Sequence, residues 1–224
     1  MYVERSPGAP LAGRIACLWE QDGTEEGIQL VVPDACVDLI WAPGGPHVAG
    51  PDTGPMPVRL RAGDVYKGIR FRPGALGGVL GVPVEELKDG RVPFEDLGLP
   101  SDLTLEELTE RLRATDPPDP AAPAIAGALR EGSSVRQVAR DLGLSERQLH
   151  RRSVSSFGYS PKVLQRIVRF QRALRLARSG VPLARVAVES GYTDQAHLSH
   201  DVKRLSGVSM GRLLAPSPPS AEDA

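Results

Sequence analysis

The hydrophobic period changes partway along the chain. In the first third, apolar residues come in short, β-branched-rich runs at 27–32, 37–41, 58–61 and 65–71, punctuated by Gly, Pro and Asp. Runs of that length between turn residues predict strands. Within 37–41, Val37, Leu39 and Trp41 alternate with Asp38 and Ile40, a mixed signal that fits a partly buried strand. After Arg72-Pro73-Gly74 the pattern turns helical. Leu103, Leu105, Leu108 and Leu112 form an apolar stripe, and Thr104 and Glu107 are spaced as a capping box at its start. Residues 1–115 therefore predict a small β-rich domain closed by helices.

Residues 116–123 hold four prolines in eight positions, which favours an extended spacer. Beyond them the period is helical throughout, with helices expected at 124–131, 135–142, 146–156, 161–178, 183–190, 194–205 and 209–214. The end of the chain, 215–224, has nothing to bury and reads as a disordered tail. The fold class is α+β: a β-rich N-terminal domain, then an all-α domain over 124–214.

Two stretches of that all-α domain follow one plan. In the first, Ala139 is small where a second helix must cross closely. Gly143 sits four residues later in the turn, and Val138, Leu142 and Leu149 point inward. Ser134…Gln137 and Ser145…Gln148 have the spacing of capping boxes. The helix at 146–156 then presents Arg147, His150 and Arg151 outward, near its N-terminal end, where a recognition helix meets base edges. In the second stretch Ala187 and Gly191 repeat the four-residue interval, Thr193 is the expected N-cap, and Leu198 and Val202 face inward. Gln195, Ala196, Ser199 and His200 are left outside. From glycine to the first buried leucine is six residues in the first copy and seven in the second. One such pattern is weakly specific. Two joined by a single helix at 161–178, about 27 Å long, form a double helix-turn-helix able to span successive major grooves. Five arginines, 166, 169, 172, 175 and 178, stud that linker helix, some placed for phosphate and others for surface ion pairs. Arg152 and Lys203 complete the expected DNA-binding set.

The net charge of −1 conceals an asymmetry. Residues 1–123 carry 11 Lys/Arg against 20 Asp/Glu, and residues 124–215 carry 16 against 6. An acidic half joined to a basic half is what a chain needs when only one half meets a polyanion. No apolar run approaches the roughly 20 residues of a membrane span. The first ten residues lack the basic-then-apolar pattern of a secretory signal. With two isolated cysteines, Cys17 and Cys36, the expectation is a cytoplasmic protein.

Residues 124–214 resemble the DNA-binding domain of the AraC/XylS family of bacterial transcription regulators. The resemblance rests on Leu-Ser-Glu-Arg-Gln-Leu-His-Arg (144–151), Phe-Gly-Tyr-Ser-Pro-Lys (157–162) and Gly-Tyr-Thr-Asp-Gln-Ala-His-Leu-Ser-His (191–200), and on the unequal turns. It implies double-stranded promoter DNA and RNA polymerase as partners, and activation more often than repression. It also implies that Arg147, His150 and Arg151, then Gln195, Ala196, Ser199 and His200, face bases. The chain departs from the family pattern in four places. Ser153 and Val202 stand where an aromatic is usual, His200 stands for an arginine, and Ser209 or Met210 stands for a proline.

The N-terminal residues 32–41, with Gly50-Pro51-Asp52 and Gly68-Ile69-Arg70-Phe71-Arg72, look like the sensor half of actinobacterial members of that family. In outline this is similar to a small cupin-like β-barrel. The likeness implies a pocket for a small-molecule effector, with Asp34, Asp38, Trp41, Arg70 and Arg72 as candidates. Each has a plainer structural reading: a turn cap for Asp34, an ion pair of Asp38 with Arg70 or Arg72, a core position for Trp41. Two other readings of this half stand beside the sensor. It serves only to form a homodimer, through the 103–113 helix, or it is a cupin-type enzyme. A metal cupin needs several histidines and a carboxylate, whereas residues 1–123 contain only His47. Cys17, Cys36 and His47 match no ligand spacing. Neither enzyme activity, metal nor cofactor is expected.

Overall fold

The computed structural model describes residues 2–24 and 26–215. Among the described residues eight strands are followed by eight α-helices. Six strands form one antiparallel sheet: β1 (Tyr2–Arg5), β2 (Ile15–Asp22), β7 (Val65–Phe71), β4 (Val37–Trp41), β5 (His47–Ala49) and β8 (Arg91–Pro93), in that spatial order. The remaining two, β3 (Gly27–Val31) and β6 (Met56–Leu60), pair with each other as a separate ribbon.

Side-chain alternation gives the six-stranded sheet two unlike faces. On one, Val37, Leu39, Val48, Ile69 and Phe71 pack into a core with Leu76, Leu87, Phe94 and the stripe of α1 (Leu105–Ala114). Leu108 and Leu112 of α1 are buried there, so the leucine face offered for pairing with a second copy is spent within the chain. The predicted capping box is present: the Thr104 side chain accepts from Glu107 N–H, and the Glu107 carboxylate accepts from Thr104 N–H at 2.8 Å. The other face of the sheet carries Trp19, Gln21, Asp38, Ile40, Tyr66 and Arg70. The mixed run at 37–41 thus reflects a strand with core on one side and a polar cavity on the other.

The helical half runs α2 (Ala122–Arg130), α3 (Val135–Asp141), α4 (Glu146–Phe157), α5 (Pro161–Arg178), α6 (Leu183–Glu189), α7 (Gln195–Ser206) and α8 (Met210–Leu214). Its core gathers residues from all seven, with Phe157, Ile167 and Phe170 fully enclosed. α2 begins earlier than its sequence suggests, at Ala122, because Pro123 falls in the first turn, where a missing N–H costs nothing. The proline-rich segment is docked rather than a free spacer. The Asp116 carbonyl accepts from Gly78 N–H at 3.0 Å, and Asp119 binds Arg152 at 2.6 Å. Residues 216–224, most of the expected tail, lie outside the described residues.

The two halves share more than a linker. Ala35, on the loop between β3 and β4, is buried in the helical core, with Val32 packed against it. Gln171 of α5 donates from Nε2 to the Pro33 carbonyl at 2.6 Å. Gly158, at the α4 C-cap with φ +77°, lies so close to Pro51 and Val84 that an added Cβ would stand about 3 Å from each. Among the described residues no helix is long and apolar enough to cross a membrane.

Candidate nucleic-acid interface and the adjoining cavity

Both helix-turn-helix units are built by the same backbone device. After α3, Gly143 takes φ +64° and Leu144 N–H donates to Ala139 O at 2.8 Å. After α6, Gly191 takes φ +79° and Tyr192 N–H donates to Ala187 O at 2.9 Å. A left-handed residue at this point is open to glycine at little cost and turns the chain toward the second helix. The units diverge afterwards. Ser145, two residues past its glycine, caps α4 with a full box to Gln148. In the second unit the cap is Asp194, three residues past its glycine, and not Thr193. The Asp194 carboxylate accepts from His197 N–H at 2.7 Å. A carboxylate at a helix N-terminus also gains from the helix dipole, and Thr193, one residue outside, meets His197 Nδ1 through its hydroxyl at 3.4 Å and its N–H at 3.5 Å rather than capping the helix.

On α4, Arg147, His150 and Arg151 are exposed while Leu149, Ser153 and Phe157 are buried. Arg152 takes a different direction, half-buried against Asp119 of the linker. Ser153, standing where an aromatic was expected, is fully buried and donates to the Tyr159 carbonyl at 2.8 Å. On α7, Gln195, Ala196, Ser199, His200 and Lys203 are all exposed. The Ser199 hydroxyl is turned onto the Gln195 carbonyl at 2.8 Å.

The linker arginines divide. Arg166 and Arg169 converge on Asp201 of α7, which is buried, at 3.6 and 2.9 Å. Arg169 also lies 4.1 Å from the centre of the Tyr192 ring, whose buried hydroxyl is pushed up to about 12 by desolvation. These two arginines orient α7, whereas Arg175 and Arg178 remain exposed.

Between the polar face of the sheet, the β3–β6 ribbon and α5 lies a cavity of about 410 Å³. Asp38 and Arg70, direct cross-strand partners on β4 and β7, form its floor. Arg70 Nε donates to both Asp38 oxygens at 3.1 and 3.2 Å, and Trp19 Nε1 donates to one at 2.7 Å. Burial pushes the Asp38 carboxyl up to about 6 against the pull of Arg70. Asp34 lies 3.8 Å from Arg70 and also accepts from Cys36 N–H at 2.9 Å, closing the turn. A second pair, Arg91 with Asp52, is bidentate at 3.0 and 2.8 Å. Gln171, Leu174 and Arg178 of α5 complete the wall.

Of the five expected effector residues, the fold brings Asp34, Asp38 and Arg70 together. Trp41 lies elsewhere, edge-on to Phe94 with Nε1 donating to Ser101 O. Arg72 is exposed and donates to Ala12 O at 2.8 Å. Sequence reasoning did not single out Trp19 or the α5 residues. Trp19 sits in a strand with no clean alternation, and the α5 positions are legible only once the two halves are docked.

Residues 138–215 match a family model described as a helix-turn-helix domain, and residues 3–93 match a domain of unknown function, DUF6597. No curated protein matches the chain. Among solved structures, the C-terminal domain of AraT, a response regulator from Geobacillus stearothermophilus, is 21% identical, with 47% of this chain and 96% of that one covered and a TM-score of 0.40. A probable AraC family transcriptional regulator from Rhodopseudomonas palustris is 22% identical over 43% and 93% of the two chains, with a TM-score of 0.36. An apo ToxT variant from Vibrio cholerae is 11% identical over 88% and 96%, with a TM-score of 0.46. With the two glycine-turned units, their unequal caps and the helix-turn-helix match on one chain, the protein carries a helix-turn-helix domain over residues 138–215, preceded by a β-rich N-terminal half that matches a domain of unknown function.

Proposed function

We propose that the chain is a sequence-specific transcriptional activator that reads two adjacent promoter boxes and answers to a small-molecule effector. The observation that carries base reading is the pair of recognition faces. Arg147, His150 and Arg151 on α4, and Gln195, Ala196 and His200 on α7, are exposed donors or contact groups on the basic half of the chain. Arginine is suited to guanine and glutamine to adenine, while Lys203 is placed for phosphate. Ser199 contributes through a hydroxyl already engaged with its own helix, and Arg152, held by Asp119, acts on DNA only if that pair opens. RNA polymerase is the further partner of this reading, which is of a cytoplasmic regulator rather than an enzyme.

Effector sensing is supported by the cavity and its shared wall with α5. An occupant touches the helix that carries both DNA-binding units. Selection of genomic fragments by the purified full chain, at one fixed near-physiological salt concentration, tests the reading. Enrichment of two boxes about one helical turn apart is expected. A single box would confine base reading to the first unit. No enrichment over random DNA, with or without cell extract as an effector source, would overturn it.

A further inference from the structure

The cavity has a chemical bias that its size alone does not suggest. Four carboxylates line it, those of Glu4, Asp34, Asp38 and Asp52, and the two arginines closest to them are already engaged. Arg91 is spent on Asp52 and Arg70 on Asp38, with Asp34 at longer range. That leaves Glu4 outside every ion pair found among the described residues and Asp34 only loosely paired, 3.8 Å from Arg70, with Arg178 of α5 exposed at the rim.

An aromatic surface accompanies the acids. Gly68 stands directly across from Trp19 in the sheet, and a Cβ there would fall within 2.2–2.6 Å of three indole atoms. The Trp19 ring therefore lies across Gly68, in the space a side chain would fill. Its nitrogen edge is fixed on Asp38 at 2.7 Å, Glu4 is its cross-strand neighbour on the opposite strand, and Tyr2 lies 6.2 Å away, ring to ring. The Tyr2 hydroxyl donates to Glu4, which holds that carboxylate beside the indole. An aromatic face edged by carboxylates is a setting that attracts a desolvated cation.

We propose that the cavity takes an organic cation, an amine with an apolar body, with its charged group held over Trp19 between Glu4 and Asp34. The body then rests on Val31, Val58 and Leu60 of the ribbon. This deepens the effector reading above and rests on it.

Three ligands of one shape test it by calorimetry on the full chain: phenethylamine, 2-phenylethanol and phenylacetate. The amine is expected to bind about tenfold more tightly than the alcohol, and phenylacetate more weakly than either. Glu4→Gln and Asp34→Asn should each reduce the amine's advantage while leaving alcohol binding unchanged. The asparagine keeps the oxygen that Cys36 N–H needs, so the turn stays capped. Tighter binding of the alcohol or of phenylacetate would overturn the cation assignment and leave the cavity a ligand site. Failure of all three to bind at millimolar concentration would overturn both.

Discussion

Arg70 and Trp19 favour the charged form of Asp38, while burial opposes it. Burial dominates and raises the carboxyl from 3.8 to about 6. The sign of the pH effect follows. Between those values the folded state keeps a proton that the unfolded chain has released. The stability this group contributes is therefore fully present below 3.8 and is lost as pH rises through about 6, a change of about 3 kcal/mol. Urea unfolding of the wild type and Asp38→Asn at pH 4.5 and 7 should show the wild type's relative stability falling as pH rises. A rise would mean that the pair with Arg70 outweighs burial. On the proposed DNA face, Arg147 is exposed and outside every ion pair found among the described residues. Arg147→Ala should cost about 1–3 kcal/mol at one base position and relax specificity there. A uniform loss across sequences with a shallower salt dependence would place Arg147 on phosphate instead.

Between elements, α7 is held by charge as well as by packing. Asp201 is buried between Arg166 and Arg169, and removing its charge leaves two partly exposed guanidiniums facing each other. Asp201→Asn should cost about 1–3 kcal/mol of stability, less than a fully buried pair because both arginines keep some water. In footprinting it should weaken the second box while sparing the first; equal weakening of both would mean that α7 is not separately positioned. The helices themselves were readable in advance. Capping residues, glycine stops and the apolar period placed all seven helices of the C-terminal half to within about two residues, because each signal acts locally. The strands were half legible. β3, β4, β6 and β7 follow from their β-branched runs, but β1, β2, β5 and β8 do not. β5 and β8 have three residues each, too few for a period, and β2 mixes Trp19, Glu20 and Gln21 on faces whose burial depends on neighbours distant in sequence. The N-cap at Asp194 was missed because Thr193 and Asp194 are both good caps, and only the longer second turn decides between them.

Across the whole molecule, α5 lies between the cavity and α7. Gln171, Leu174 and Arg178, spaced three and four apart on one stripe, face the cavity, while Arg166 and Arg169, on the opposite side, reach Asp201 of α7. No periodicity in the sequence announces this, since it depends on the loop at 32–36 entering the helical half. That loop divides its side chains: Asp34 and Cys36 line the cavity, and Ala35, in a left-handed conformation at φ +69°, is buried among the helices. An occupant that shifts Asp34 must therefore move Ala35 or be resisted by it. The Gln171 bond to the Pro33 carbonyl is the polar tie between loop and helix, and its net worth is about 1 kcal/mol. Gln171→Ala should therefore raise hydrogen exchange at 34–38 several-fold while leaving α4 protected. If the loop transmits cavity occupancy, the same substitution should weaken any ligand-dependent change in promoter affinity without altering affinity in the ligand's absence. Unchanged exchange in the loop would show that Ala35 burial alone holds the loop on the helical half. Faster exchange with an intact ligand response would put the transmission in Leu174 and Arg178, which meet the cavity directly.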